Sequence, residues 1–138
     1  ELAPPRPYRD YIAWLKKQDM AAAEAYWRKT LAGFTAPTPL AVDDLPVAGN
    51  GAAHSELEIR VSHEVTGTLE ALARQHHLTL STLVQGAWAL LLSRYSGEDD
   101  VVFGLTVSGR PADLPGAESM VGLFINTLPV RVRISSRS

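Results

Sequence analysis

One amide side chain interrupts the apolar stretch VGLFINTLPVR, which runs from Val121 to Arg131. A buried amide without hydrogen-bond partners costs on the order of 1–3 kcal/mol, so Asn126 needs a partner. Its amide either bonds the nearby backbone and holds a strand or a turn, or donates to a substrate group on which negative charge develops. The residue types alone leave both interpretations open.

A second group of polar residues lies in the turn sequence VSGRP, at Ser108, Gly109 and Arg110. Ser108 lacks the G-x-S-x-G surroundings of a hydrolase nucleophile, and serine before glycine is typical of a turn. Arg110 can anchor a phosphate or a carboxylate, or its planar guanidinium can bind turn carbonyls or an acidic side chain. We favour the second role. The stretch FGLTVSGRP also lacks the spacing of both common phosphate-binding fingerprints.

The chain contains 4 histidines, which do not form a recognisable catalytic or metal-binding set. His76 and His77 are adjacent, near the end of a helical pattern, where a cation interacts favourably with the helix dipole. A general base needs a neighbour that fixes its tautomer, and the following LTLST contains no acidic residue. His54 falls in a linker and His63 at the start of a helix. No two of the four have zinc-ligand spacing, so we predict no metal site.

Composition restricts the class of protein. The 138 residues suit one domain or part of a larger one, and 46% are hydrophobic, enough for a core. The formal net charge of −2 gives no electrostatic footprint for nucleic acid or an anionic membrane. The chain has no cysteine, which excludes disulfides and a cysteine nucleophile. No apolar run reaches the roughly 18 residues of a membrane span, and the start lacks the pattern of a signal peptide. We predict a cytoplasmic protein.

Two helices are predicted in the first part of the chain. Pro7 suits the first helical position of one, and Asp19 caps the other, which ends near Gly33. Each helix has an apolar stripe: Tyr8, Tyr11, Ile12 and Leu15 in the first, and Ala23, Trp27 and Leu31 in the second. Residues 36–54 are rich in Pro, Gly and Asp and predict an irregular connection.

The alternation in SELEIRVS, residues 55–62, predicts a half-buried strand. Its acidic face is expected to pair with the basic face of LPVRVRI, which carries Arg131 and Arg133. This last stretch also alternates strictly, and DDVVFGLTVSGRP predicts another short strand.

Two further helices lie between these strands. Ser62 caps one that continues to about His76, and Thr79 caps another that ends near Gly97. The first turns an apolar stripe inward: Val65, Leu69 and Leu72. The second is apolar nearly all round and should be buried on most sides. The mixture of helices and strands indicates an α/β or α+β protein, a mixed sheet flanked by helices.

Four stretches occur in an order that is specific as a whole: YRDYIAW, YWRKTLAG, LTLSTLVQGAWALLLSRYSGEDDVVFGLTVSGRP and MVGLFINTLPVRV. Together they cover nearly the whole chain and resemble the condensation domain of nonribosomal peptide synthetases. The first matches the family motif Tyr-x-Asp-Tyr/Phe-x-x-Trp, and the last contains the motif Val-Gly-x-Phe-x-Asn-Thr. The resemblance implies two lobes, each like chloramphenicol acetyltransferase. A channel between the lobes joins a carrier-bound acyl donor to an amine acceptor through an amide bond.

The resemblance also implies which part of the domain is present. Residues 1–35 would end the first lobe, 36–54 would connect the lobes, and 55–138 would start the C-terminal lobe. The family's catalytic signature, His-His-x-x-x-Asp-Gly, is absent, because HHLTLST has neither the Asp nor the Gly. We therefore expect this chain to contain no catalytic residue and to be inactive alone.

Site residues follow from the same motifs. In the family the Asn-Thr segment faces the channel, which makes Asn126 a channel-lining candidate. The Tyr-x-Asp-Tyr residues are expected to pack and to fix lobe geometry: Tyr8, Asp10, Tyr11 and Trp14. The set expected to line the substrate channel is Ser108, Gly109, Arg110, Gly122, Phe124 and Asn126.

Partners are implied as well. The resemblance predicts no directly bound cofactor, since substrates arrive on the phosphopantetheine of peptidyl carrier proteins. An adenylation domain and the remainder of the condensation domain are the other expected partners, and the apolar faces of a half-channel predict self-association. Two alternatives stay open: a non-catalytic condensation-like module that recruits a partner protein, and a relative that performs cyclisation or epimerisation.

Overall fold

The computed structural model describes residues 4–40 and 56–135. In these residues the order of elements is helix, helix, helix, helix, strand, short 3-10 turn and strand. The helices are α1 (Tyr8–Leu15), α2 (Met20–Thr30), α3 (His63–Gln75) and α4 (Leu80–Ser96). The strands are β1 (Asp100–Ser108) and β2 (Ile125–Arg133), and the 3-10 turn is Ala117–Ser119. The predicted mixture of helices and strands is confirmed.

Three predicted helix caps are confirmed. The side chains of Asp19, Ser62 and Thr79 each accept a hydrogen bond from the backbone N–H three residues later. Such caps satisfy donors that have no partner inside the helix. Pro7, predicted at the first helical position, is instead the extended residue that precedes α1. Gly97 ends α4 in the left-handed conformation, at φ 75°, which glycine adopts without a steric penalty.

The two strands form an antiparallel pair. The Gly109 N–H donates to the Phe124 carbonyl at 2.6 Å, and the Ile134 N–H donates to the Asp99 carbonyl at 2.7 Å. Both bonds are consistent with a single alignment of the two strands, in which each of these residue pairs lies directly opposite. In that register Pro129 occupies a position whose N–H would point away from β1, so proline removes no bond from this ladder.

The chain divides into two compact units. One contains the described residues up to Ala36 together with Phe103–Arg131, and the other contains the described residues between Pro37 and Val102 together with residues 132–135. The first unit has a core of four buried residues with three aromatic rings of α1 packed against it: Leu114, Ala117, Met120 and Phe124, with Tyr8, Tyr11 and Trp14. In the second unit α3 packs on α4, and the buried apolar residues are Ala73, Ala89, Leu92 and Val101.

The predicted strand at residues 55–62 is wrong for the described part, 56–62, which belongs to no sheet. Leu57, Ile59 and Val61 are 87%, 75% and 59% exposed. A strand is stable only when its backbone groups are paired, and no described strand pairs with this segment. The expected acidic–basic pairing fails with it. Arg133 pairs with Asp100, which lies directly opposite in the ladder, at 3.3 Å.

The predicted burial of α4 on most sides is also wrong. Ala89 and Leu92 are its buried residues, whereas its larger apolar side chains are 44–62% exposed: Val84, Trp88, Leu90, Leu91 and Tyr95. The inward stripe predicted for α3 is exposed as well, at Val65, Leu69 and Leu72. The reason is geometric, since α3 can cover one side of α4 and leaves its other sides accessible. None of the helices within residues 4–40 and 56–135 combines the length and apolarity that crossing a bilayer requires.

Candidate functional site

The two segments that carry the candidate site residues, 107–111 and 121–127, lie side by side at one end of the sheet. The backbone bond from Gly109 to Phe124 joins them at 2.6 Å. A β-carbon on residue 109 would lie 2.6 Å from the Phe124 carbonyl oxygen, a distance that real β-carbons do not reach. Glycine is therefore needed at position 109 because the two backbones approach so closely.

Helix α1 packs on the second of these segments. The Tyr8 ring meets the Phe124 ring edge to face, with centroids 5.3 Å apart. The Tyr11 ring is 4.8 Å from Phe124 in a tilted arrangement and stacks on Trp14. Aromatic pairs at such distances stabilise a core beyond the area that they bury. The motif near the start of the sequence thus packs directly on the motif near its end.

The hydroxyl group of Tyr8 fixes the backbone of this segment. It donates a hydrogen bond of 2.6 Å to the carbonyl of Leu123. A β-carbon on residue 122 would lie 2.1 Å from Cδ2 of the Tyr8 ring, so the ring occupies the space that a side chain there would need. The sequence left two reasons for Gly122, a special backbone angle or a close approach, and the contact with Tyr8 is a close approach.

Arg110 binds the turn between the two segments. Its guanidinium donates to the carbonyls of Ala117 and Met120, the second at 2.9 Å, and its Cζ lies 4.1 Å from the centre of the Phe124 ring. This is the turn-carbonyl role favoured from the sequence, with a cation–π contact added. One arginine therefore ties the 3-10 turn to the aromatic core.

Two contacts with this turn, one from Arg6 just before α1 and one from Trp14 within it, were missed by the sequence reasoning. Arg6 pairs with Asp10 at 2.8 Å and donates to the Pro115 carbonyl at 2.5 Å. The Trp14 indole N–H donates to the Asp113 carboxylate at 3.2 Å. The i, i+4 spacing of Arg6 and Asp10 was a visible signal of pairing. Nothing local signals the other two bonds, because their partners are about a hundred residues away in the chain.

The same face of α1 borders a shallow depression of about 270 Å³. Its lining combines charged and apolar side chains: Arg6, Asp10, Ala13, Trp14, Lys17 and Leu114.

Asn126 is exposed at the start of β2. Its Oδ1 accepts a hydrogen bond of 2.8 Å from the N–H of Thr127. That bond is the backbone-holding role considered from the sequence. It uses the oxygen of the amide and leaves the NH₂ group, the donor, out of the interaction, so the two roles do not exclude each other.

The other predicted site residues occupy different positions. Ser108 is the last residue of β1 and is exposed. Phe124 is 5% exposed and belongs to the core, so its side chain supports the segment from below. Arg131, which lies farther along β2 and was not among the predicted site residues, donates to the carbonyls of Thr30, the last residue of α2, and of Ala32 just after it, at 2.9 and 2.7 Å.

None of the histidines belongs to the two segments that carry the candidate site residues. His63 is the first residue of α3, His76 follows its last residue, and His77 has a positive φ of 55°. His54 lies outside the described residues. Within residues 4–40 and 56–135, no group of three or more histidine, aspartate or glutamate side chains is placed to hold a metal ion.

Comparison with known proteins identifies the family. The sequence profile of the Condensation domain matches residues 1–138. The chain is 54% identical over 132 residues to Chondramide synthase cmdD of Chondromyces crocatus, in a match that covers 96% of this chain and 3% of that protein. It is 46% identical over 133 residues to Bacitracin synthase 3 of Bacillus licheniformis, in a match that covers 94% of this chain and 2% of that protein.

A solved structure has the same fold. The condensation domain of Monacolin K polyketide synthase MokA matches with a TM-score of 0.62 at 24% identity, over 86% of this chain and 29% of that one. The chain thus spans less than a third of that domain and a small part of each curated relative. With a profile match along its length and relatives at 46% and 54% identity, the chain belongs to the condensation domain family of nonribosomal peptide synthetases.

Proposed function

We propose that this chain supplies one wall of the substrate channel in a condensation domain that forms amide bonds. The donor is an aminoacyl or peptidyl thioester on the phosphopantetheine of a peptidyl carrier protein, and the acceptor is an amine on a second carrier. The acceptor nitrogen bonds to the thioester carbonyl carbon, the carbon–sulfur bond breaks, and the carrier thiol leaves with a proton. Residues 1–35 then end the first lobe, 36–54 connect the lobes, and 55–138 start the second.

The observation that carries this proposal is the way in which the Asn126 segment is held. α1, Arg110 and the Gly109–Phe124 bond fix the backbone that leads to it, and Asn126 itself is exposed. A donor that is fixed in advance and faces an accessible space can stabilise negative charge on a thioester oxygen. In this role Ser108, Gly109, Arg110 and Gly122 shape the wall, and Phe124 supports it from the core.

We expect the group that handles the proton of the acceptor amine to belong to the His-His-x-x-x-Asp-Gly signature, elsewhere in the domain. The exposed apolar side chains of α4 and of residues 57–61 are the surfaces that we expect the remainder of the domain to cover. The neighbouring adenylation domain and the carrier proteins complete the proposed assembly.

A matched pair of Asn126 variants in the complete condensation domain tests the proposal. Asn126→Asp keeps an oxygen that can accept from the Thr127 N–H but removes the amide donor, and Asn126→Ala removes both. We expect both variants to lower the rate of amide formation about 100-fold with loaded carrier proteins. A native rate for Asn126→Asp, with a loss only for Asn126→Ala, would reduce the residue to a structural role. If the native domain forms no amide but binds a partner protein, the result would favour the alternative of a non-catalytic module that recruits a partner.

A further inference from the structure

The Val121–Thr127 segment is held at few points. The side chains of Val121, Leu123 and Ile125 are 80%, 74% and 68% exposed, so they do not anchor it within the described residues. The anchors that remain before Asn126 are the buried Phe124 side chain, the backbone bond from Gly109, and the bond from the Tyr8 hydroxyl to the Leu123 carbonyl.

The Tyr8 bond differs from the other two anchors because it depends on one removable atom. It is short, at 2.6 Å, and lies three residues before Asn126. The same ring fills the space beside Gly122 and meets Phe124 edge to face. Loss of the hydroxyl would therefore leave the packing in place while releasing the carbonyl that fixes the direction of the backbone toward Asn126.

We propose that Tyr8 is a positioning residue for the amide-forming site, and that its hydroxyl sets the placement of the Asn126 donor through the Leu123 carbonyl. The inference rests on the proposed function of Asn126. Tyr8 lies in α1, far from Asn126 in the sequence. Through this hydrogen bond it affects the chemical step in a way that packing alone would not.

Tyr11 provides a matched control on the same helix. Its ring also packs against Phe124, with centroids 4.8 Å apart. Within the part of the chain that the structure describes, its hydroxyl makes no hydrogen bond to the Val121–Thr127 segment. The hydroxyl oxygen lies 3.8 Å from the position that a β-carbon on residue 109 would occupy. Tyr11→Phe thus removes a hydroxyl from the same aromatic cluster without removing a backbone anchor.

The experiment compares native, Tyr8→Phe and Tyr11→Phe forms of the complete condensation domain. We expect Tyr8→Phe to lower kcat about tenfold, in keeping with the loss of one good hydrogen bond. The KM for the carrier-bound donor should stay within about twofold, and hydrogen exchange should accelerate in the peptide that contains residues 121–127. Tyr11→Phe should change none of these. A native kcat for Tyr8→Phe, or an equal loss in both variants, overturns the proposal.

A double-mutant cycle distinguishes positioning from general destabilisation. If Tyr8 acts through Asn126, adding Tyr8→Phe to Asn126→Ala should lower kcat no further. Multiplying losses would contradict the proposal. If the native domain forms no amide, the proposed function fails, and the exchange measurement still decides whether the Tyr8 hydroxyl holds the segment: unchanged exchange in Tyr8→Phe overturns that claim.

Discussion

The ring of Tyr8 occupies the space that a side chain on residue 122 would require. A β-carbon at Gly122 would approach three ring atoms to 2.1, 2.5 and 2.7 Å, and the hydroxyl of the same ring bonds the next carbonyl along the chain. The two positions are 114 residues apart in sequence, yet the residue type at one depends on that at the other. This pair links the first recognisable motif of the chain to the last.

Gly122→Ala is expected to destabilise the complete domain by about 1–3 kcal/mol, because the added methyl group overlaps the Tyr8 ring and forces it or the segment to move. Urea unfolding measures the effect. In a Tyr8→Ala background the same substitution should cost much less, since the ring is gone, and the difference between the two costs is the coupling energy of the pair.

Gly86→Ala is the control for that measurement. Gly86 lies within α4, and a β-carbon there would meet nothing within 4 Å. Alanine is the better helix former, so the substitution should stabilise the domain by up to about 1 kcal/mol. Equal destabilisation by the two alanine substitutions would show that the contact with Tyr8 does not determine the glycine at position 122.

Arg110→Lys is expected to destabilise the turn around Ala117–Ser119 by about 1–2 kcal/mol. A lysine keeps the charge but cannot direct a planar guanidinium to two carbonyls while lying over the Phe124 ring. The free energy of unfolding and the hydrogen exchange of residues 112–121 measure the loss. Arg94, exposed in the last turn of α4, is the control, and Arg94→Lys should change neither quantity. If the free energy of unfolding and the hydrogen exchange of residues 112–121 stay unchanged in Arg110→Lys, the positive charge alone is enough to stabilise the turn.

The local parts of this fold were predictable from the sequence, and the long-range contacts were not. Asp19, Ser62 and Thr79 cap their helices as expected, because a cap depends on residues three positions away. The strand predicted at 55–62 failed because alternation shows which face would be buried but supplies no partner strand. The order of motifs identified the Asn126 segment. No periodic pattern indicated that the Tyr8 hydroxyl would reach the Leu123 carbonyl, 115 residues away.

The isolated chain should form no amide bond when it is supplied with loaded donor and acceptor carrier proteins. The His-His-x-x-x-Asp-Gly signature is absent from its sequence, so the general base expected for the acceptor amine is missing. Product analysis by mass spectrometry, with the complete domain as the positive control, measures this directly. Turnover by the chain alone would mean that some other group in it handles the proton, and that the role assigned to the signature is wrong.

The isolated chain is also expected to self-associate through its exposed apolar side chains. Trp88 and Leu91 lie about one turn apart on α4 and are 46% and 44% exposed, and large accessible apolar patches favour association. Light scattering over a range of concentrations should give a mass above the 15.0 kDa of the monomer. Trp88→Gln should lower that mass, since it removes the largest of these side chains, whereas Arg28→Gln, on the exposed surface of α2, should not. A native chain that stays monomeric and melts cooperatively would show that these faces need no cover.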